Sequence, residues 1–175
     1  LELMKVYADW VFDFYEKDAP MCIQFPDIET NFMGLVNGPD SHYDVYDGEA
    51  RIISGPGKDL ARFDTNHYYN YIQVAVWEHS STKVPYYKPE GVNGVIRVGP
   101  LARLNVASKL PWPVANEYEE RYLKLFPRPC LQVQGFNLAR IPEIIAGQEE
   151  VLEMLEDPGI TNTDIRIPVK SRGGE

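Results

Sequence analysis

Apolar residues recur at helical spacing in the first segment of the chain, and this pattern predicts a helix from Leu1 to Lys17. The residues that would form its one buried face are Leu3, Val6, Tyr7, Trp10, Val11 and Phe14. Proline cannot continue a helix and disfavours helical geometry in the residue before it. We therefore expect the helix to end at Asp18-Ala19-Pro20.

Short β-type runs follow between Thr30 and Ala61, where Asn-Gly-Pro-Asp, Asp-Gly and Gly-Pro-Gly sequences mark turns. The pattern predicts a small antiparallel β meander. Its strands are expected at Phe32 to Val36, Tyr43 to Tyr46, Ala50 to Ser54 and Leu60 to Phe63. Asp47-Gly48 suits a tight turn that requires a positive φ.

Helical patterns dominate the rest of the chain, interrupted by extended segments. Asp64 or Thr65 can cap a predicted helix from Asn66 to about Trp77, with an apolar stripe of Tyr68, Ile72, Ala75 and Val76. Further elements are expected as an extended segment at Thr82 to Pro89, a short strand within Val92 to Val98, a helical turn opening at Pro100, helices at Pro113 to Phe126 and Phe136 to Leu155, and a strand at Thr163 to Val169.

Pro142 and Gly147 interrupt the last predicted helix. Either Pro142 lies in the first turn, where its missing N–H costs little, or the helix is kinked there. Taken together, the patterns predict the α+β class: a small antiparallel β meander with several packed helices, forming a single unit over residues 1–175.

Composition and charge exclude several classes of partner. The formal net charge of −9 comes without a basic stripe that could bind a phosphate backbone, so no nucleic-acid partner is expected. No window reaches the roughly 18 apolar residues of a bilayer span, so no membrane span is expected either. Cys22 and Cys130 show neither C-x-x-C nor histidine spacing, and they predict neither a disulfide framework nor a zinc site.

Candidate catalytic residues are few and scattered. His42, His67 and His79 lie beside different predicted elements, so a shared metal would require that the fold bring them together. The glutamates within Glu149 to Glu153 follow helical spacing, and solvated carboxylates are the simpler interpretation. Gly55-Pro56-Gly57-Lys58 lacks the spacing of a phosphate-binding loop. The residues alone therefore predict an acidic α+β domain with no catalytic, cofactor-binding or metal-binding residue.

One stretch carries a specific resemblance. A Pro-Tyr-Tyr-Lys-Pro segment at Pro85 to Pro89 precedes Arg97-Val98-Gly99-Pro100-Leu101-Ala102-Arg103-Leu104-Asn105. This order is similar to the middle of nickel–iron hydrogenase large subunits, especially the cytosolic NAD-reducing, deazaflavin-non-reducing and sulfhydrogenase-like group. Other similar segments occur in the same order at Asn31 to Val36, Val45 to Gly48, Arg51-Ile52, Tyr69 to Ile72, Ala139-Arg140 and Leu155 to Pro158. Residues 79–83 and 136–138 depart from the family pattern.

The resemblance implies reversible oxidation of dihydrogen at a nickel–iron centre in a full-length cytoplasmic enzyme. In that family two cysteine pairs supply the thiolate ligands, one in an Arg-x-Cys-Gly-x-Cys motif near the start of the subunit and one in an Asp-Pro-Cys-x-x-Cys motif near its end. Neither motif occurs within residues 1–175. We therefore expect an internal segment that holds no nickel or iron and is inactive by itself.

The segment Gly99 to Arg103 is expected to be scaffold rather than catalytic. Glycine and proline would shape a turn into a short helix, and Leu101 and Leu104 would be buried. Arg97 and Arg103 would bind neighbouring carboxylates or carbonyls.

Two functional hypotheses remain open. In the first, the chain is a scaffold segment of a hydrogenase large subunit, and its partners are the remainder of that subunit, an iron–sulfur small subunit and electron-transfer subunits. In the second, it is a non-enzymatic hydrogenase-like or complex I-like scaffold that has lost its metal cysteines. For an excised segment we expect an exposed apolar patch on the first or last helix, through which a second copy would associate.

Overall fold

Five α-helices and seven β-strands make up the described residues, 1–22 and 25–164, of the computed structural model. The helices are α1 (Glu2–Cys22), α2 (Pro100–Val106), α3 (Pro113–Leu125), α4 (Val133–Leu138) and α5 (Arg140–Glu156). The strands are β1 (Asn31–Asn37), β2 (His42–Asp44), β3 (Glu49–Ile53), β4 (Asp59–Asp64), β5 (Ile72–Ala75), β6 (Val84–Tyr87) and β7 (Ile96–Arg97). The mixture confirms the α+β class. Of the strand predicted at Thr163 to Val169, only Thr163 and Asp164 lie within the described residues.

The larger sheet contains all four strands of the predicted meander, but in a different order. Strand β1 lies between β2 and β3, β4 pairs with β3, and β7 pairs in parallel with the start of β1. Asp47-Gly48 therefore connects strands on opposite sides of β1, and the predicted tight turn between neighbours is wrong. A side chain at Gly48, which has φ of 144°, would meet the Val36 carbonyl oxygen at 2.7 Å, because the chain crosses the end of β1 there.

The predicted helix from Asn66 to Trp77 is wrong. Asp64 does cap a helical start, since its carboxylate accepts a hydrogen bond from the backbone N–H of Asn66 at 2.8 Å, but the helix is a short 3₁₀ segment at Thr65–Asn70. The chain then forms β5, which pairs with β6 and places Ile72 opposite Tyr87. Aromatic and β-branched residues favour strands where a partner is present, and this partner lies too far along the chain for local periodicity to detect it.

Helix α1 packs with the face opposite to the predicted one. Its buried residues are Ala8 and Phe12, supported by the partly buried Met4, Val11 and Tyr15. Five of the six residues predicted to be buried are exposed, namely Leu3, Val6, Tyr7, Trp10 and Phe14. The helix also continues past Pro20 to Cys22, because a proline removes only one hydrogen bond of the helix when the rest is retained. The expected exposed apolar patch is confirmed on the first helix.

A cluster of charges joins α1 to α3. The Arg121 guanidinium donates hydrogen bonds to Asp9, Asp13 and Glu16, at 3.1, 2.7 and 2.5 Å. These hydrogen bonds hold the pKa values of Asp13 and Glu16 below their usual range. The Tyr118 hydroxyl donates to Asp9 at 2.8 Å, and burial together with this bond raises the pKa of Tyr118 to about 12. The charged side of α1 is thus directed toward α3.

Helix α5 explains the position of Pro142. A separate helix, α4, ends at Leu138, and α5 begins at Arg140, so Pro142 lies in the first turn as one of the two alternatives required. The first half of α5 is buried at Ile141 and Ile145. Its second half exposes apolar residues that the periodicity had assigned to the core, namely Val151, Leu152 and Leu155.

Candidate functional site

The segment that carried the sequence resemblance forms the junction between the sheet and the helices. Gly99 has φ of 99°, and Pro100 begins α2 directly after it, as predicted for a turn into a short helix. Leu101 and Leu104 are buried, as predicted. Helix α2 lies so close to β1 that a side chain at Gly34 would meet the Val106 Cγ2 atom at 2.7 Å.

Arg103 connects three elements through one carboxylate. Its Nε and Nη2 atoms donate to the two oxygens of Glu143, both at 2.6 Å, in a bidentate pair. The Tyr43 hydroxyl donates to the same carboxylate at 3.2 Å. Burial and the negative charge of Glu143 raise the pKa of Tyr43, and the hydrogen bonds to Glu143 raise the pKa of Arg103. The cluster therefore stays ionised in one arrangement and joins α2, α5 and β2.

The two remaining polar residues of the segment have different roles. Asn105 is buried and forms two hydrogen bonds with the backbone of Cys130, donating to its carbonyl oxygen and accepting from its N–H, each at 2.9 Å. Arg97 differs from Arg103, because its guanidinium lies over the Phe32 ring at 5.9 Å from the centroid. Every one of these contacts fixes a backbone or packs a core, which agrees with the predicted scaffold role.

We expect alanine at Gly34 to lower the free energy of unfolding by about 1 to 3 kcal/mol, because the added methyl group overlaps α2. The matched control is Gly147→Ala in α5, where nothing lies within 4 Å of the added carbon. Alanine is favoured over glycine within a helix, so this control should stabilise the protein by about 0.5 to 1 kcal/mol. Urea denaturation of both variants measures the difference, and an equal loss in both would show that α2 does not approach β1 so closely.

The other candidate residues stay apart. His42, His67 and His79 are all exposed, and they lie on separate elements of the described chain. Residues 55–58 form the hairpin between β3 and β4, with the Ser54 N–H bonded to the Lys58 carbonyl oxygen at 2.8 Å, so they bind no phosphate as a loop of the nucleotide-binding type would.

Glu149 and Glu153 are not merely solvated, contrary to the sequence interpretation. The Glu149 carboxylate accepts hydrogen bonds from the backbone N–H groups of Val114 and Ala115 at 3.2 and 2.7 Å, and so caps the start of α3. The Glu153 carboxylate accepts from the Trp112 indole at 3.2 Å. Both glutamates are occupied in joining α5 to α3.

Sequence analysis did not find Glu143, Asn105 or Glu119 as polar anchors. Glu119 is almost fully buried and accepts from the Leu110 N–H at 2.7 Å and from Arg128. Glu143 lies 40 residues from Arg103, and Asn105 lies 25 residues from Cys130. A carboxylate in the first turn of a helix was the one available signal for Glu143.

The donor set of the described residues does not fit a nickel–iron centre. Such a centre needs several thiolates held together. Cys130 is buried, and burial raises the pKa of its thiol. Within residues 1–22 and 25–164, no group of three or more His, Cys, Asp and Glu side chains could hold a metal ion.

An apolar cleft lies beside the main sheet, mostly on the face away from α2. It measures about 270 Å³ and is lined mainly by Met33, Leu35, Phe63, Tyr68 and Val98. Its polar rim consists of Asp44, Thr65 and Arg103, and Arg103 is already engaged by Glu143. None of the described helices is long and apolar enough to cross a membrane.

Comparisons with known proteins point to one group. A subunit of the F420-non-reducing hydrogenase vhu of Methanocaldococcus jannaschii is 38% identical over 148 residues, which are 84% of this chain and 35% of that protein. The beta subunit of the NAD-reducing hydrogenase HoxS of Cupriavidus necator is 37% identical over 151 residues, which are 85% of this chain and 31% of that protein. No protein-family model matches the chain.

A solved structure extends the likeness to the fold. The crystal structure of an NAD+-reducing NiFe hydrogenase in its H2-reduced state matches with a TM-score of 0.85 and 27% identity, over 95% of this chain and 38% of that one. The present chain thus spans about a third of the length of the curated relatives that it matches.

Proposed function

Because the chain belongs to the nickel–iron hydrogenase family, we propose that residues 1–175 form a central scaffold segment of a hydrogenase large subunit. The observation that carries the proposal is the match of 95% of the chain, at a TM-score of 0.85, to 38% of one chain of an NAD+-reducing NiFe hydrogenase. The segment's polar anchors support it, since the contacts of Arg103, Asn105 and Glu119 hold elements together.

The reaction of the whole protein would be the reversible oxidation of dihydrogen. We place its nickel–iron centre outside this segment, because the described side chains lack a thiolate set and Cys130 is buried as a thiol. The segment then contributes no catalytic, cofactor-binding or metal-binding residue. Its contribution is to hold the surrounding parts of the subunit in position.

The partners of the segment follow from this assignment. They are the remainder of the large subunit and, through it, an iron–sulfur small subunit and electron-transfer subunits in a cytoplasmic complex. The relatives are themselves named as subunits of hydrogenases, which supports a multisubunit context.

We expect the complete gene product that contains these residues, purified from its own host, to reduce a viologen dye when hydrogen is supplied. The 175-residue chain, tested in parallel, should show no hydrogen-dependent reduction, since it lacks the metal ligands. A complete gene product that is folded, encodes neither cysteine pair and reduces no dye would contradict the enzyme assignment. That result would favour a non-enzymatic, hydrogenase-like scaffold.

A further inference from the structure

The exposed apolar residues of α1 follow a regular spacing. Their separations are four, three and four residues, then seven to the last, where Lys17 takes the intermediate position; we call these residues the outer seam: Leu3, Tyr7, Trp10, Phe14 and Met21. Leu3 is 84% exposed and Trp10 is 67% exposed. Alternation of three and four residues is the pattern by which one helix packs along another.

Helix α1 has a second seam with the same spacing. Met4, Ala8, Val11 and Tyr15 face the other helices of the chain. Charged residues are concentrated on a third side, where Asp9, Asp13 and Glu16 meet Arg121. A helix with two apolar sides and one narrow charged side is typical of a helix that lies between two packed layers. One layer is present in this structure.

We propose that the outer seam of α1 is covered by another helix of the same polypeptide, contributed by a part of the large subunit outside residues 1–175. The proposal rests on the proposed function, because it requires the remainder of that subunit. The seam from Leu3 to Met21 is about 27 Å long at the rise of an α-helix, so its partner is a helix of about five turns. The two axes would lie about 8 to 10 Å apart and nearly in line.

The length of the relatives identifies this occupant. The matched region is 35% of the vhu hydrogenase subunit and 38% of the solved hydrogenase chain, so most of each of those polypeptides lies outside it. A helix in the same polypeptide meets the seam at a high effective concentration, which a separate molecule lacks.

A second copy of the chain fits the seam less well. Lys17 interrupts the outer seam, and parallel pairing of two copies would set the two Lys17 side chains against each other. Within its own helix Lys17 is paired with Asp13 at 3.3 Å. A different helix can present an uncharged or acidic residue at this position, whereas an identical one in parallel cannot.

Hydroxyl-radical footprinting tests the proposal in the complete gene product and in the 175-residue chain. Trp10 and Tyr7 should be oxidised rapidly in the chain and at least about tenfold more slowly in the complete gene product, because an overlying helix excludes solvent. Trp10 oxidised at the same rate in both proteins would overturn the proposal. Protection of Trp10 in the chain itself, together with a dimer in sedimentation, would also overturn it in favour of a second copy.

Matched variants separate docking from loss of folding. Tyr7→Glu in the complete gene product should abolish the protection of Trp10, whereas Tyr46→Glu, at a 95% exposed tyrosine after β2, should leave it unchanged. Tyr7→Glu should also leave the melting temperature of the 175-residue chain unchanged, since Tyr7 is half-exposed there. The footprint needs neither nickel nor hydrogenase activity. A gene product that protects Trp10 but oxidises no hydrogen would therefore refute the proposed function and keep the docking, while the reverse result would refute the docking alone.

Discussion

Replacing Phe12 with alanine is expected to lower the free energy of unfolding of the 175-residue chain by about 3 to 5 kcal/mol. Phe12 is fully buried, its ring lies 5.6 Å from that of Tyr118, and the Arg121 guanidinium lies 5.0 Å above it. The substitution removes the main contact of α1 with α3 and leaves a cavity that the neighbouring helices cannot close.

The matched control lies two residues earlier, on the outer seam. Trp10→Ala removes a larger side chain, yet it should change the free energy of unfolding by less than about 0.5 kcal/mol, because Trp10 is 67% exposed. Urea denaturation of dilute samples, followed by far-ultraviolet circular dichroism, measures both values. A larger loss for Trp10→Ala than for Phe12→Ala would mean that α1 packs through the face that its sequence periodicity first indicates.

Glu143→Ala is the second substitution with a large expected effect, a loss of about 3 kcal/mol in the free energy of unfolding. It removes the bidentate partner of Arg103 and the acceptor of the Tyr43 hydroxyl, and it leaves the Arg103 charge partly buried without a counter-charge. The Arg103 side chain keeps 30% of its exposure, so water compensates for part of the loss, and the lower end of the range for buried pairs applies.

A double-mutant cycle gives this prediction its control. Arg103→Met should cost about as much as Glu143→Ala, whereas the double variant Arg103→Met, Glu143→Leu should cost clearly less than the sum of the two. The reason is that most of the loss comes from a charge left without its partner, which the double variant avoids. Strict additivity of the two changes would show that Arg103 and Glu143 do not act as a pair.

The sequence predicted elements well where the signal was local. The four strands between Asn31 and Asp64 carry turn residues between them, and the prolines at 100 and 113 each begin a helix. Pro142 could be placed in a first turn because its missing N–H costs little there. In each case one or two residues restrict the backbone enough to decide the outcome.

Errors arose where two parts of the chain had to meet. Strand order in the sheet depends on the crossing of residues 45–48 over β1, which no turn sequence reveals. Residues 72–75 became a strand only because residues 84–87 pair with them. On α1 the periodicity detected the outer seam, which is the longer and more apolar, and the face that packs within this chain is the smaller one built around Ala8 and Phe12.

The predicted scaffold role of residues 99–103 was recoverable in part. Burial of Leu101 and Leu104 followed from helical spacing, and an ion pair for Arg103 followed from its chemistry. Its partner Glu143 did not, because nothing local marks one of the chain's 26 acidic residues as the one that α5 brings to α2. The assignment to a family came from the order of specific residues and not from any catalytic constellation.

Quantification of nickel and iron in the complete gene product, with the 175-residue chain as the control, tests the central claim most directly. The account predicts nickel at about one atom per polypeptide, together with iron, in the complete gene product matured in its own host, and neither metal above background in the chain. Stoichiometric nickel retained by the chain itself would contradict the scaffold assignment. A complete gene product free of both metals would contradict the hydrogenase assignment.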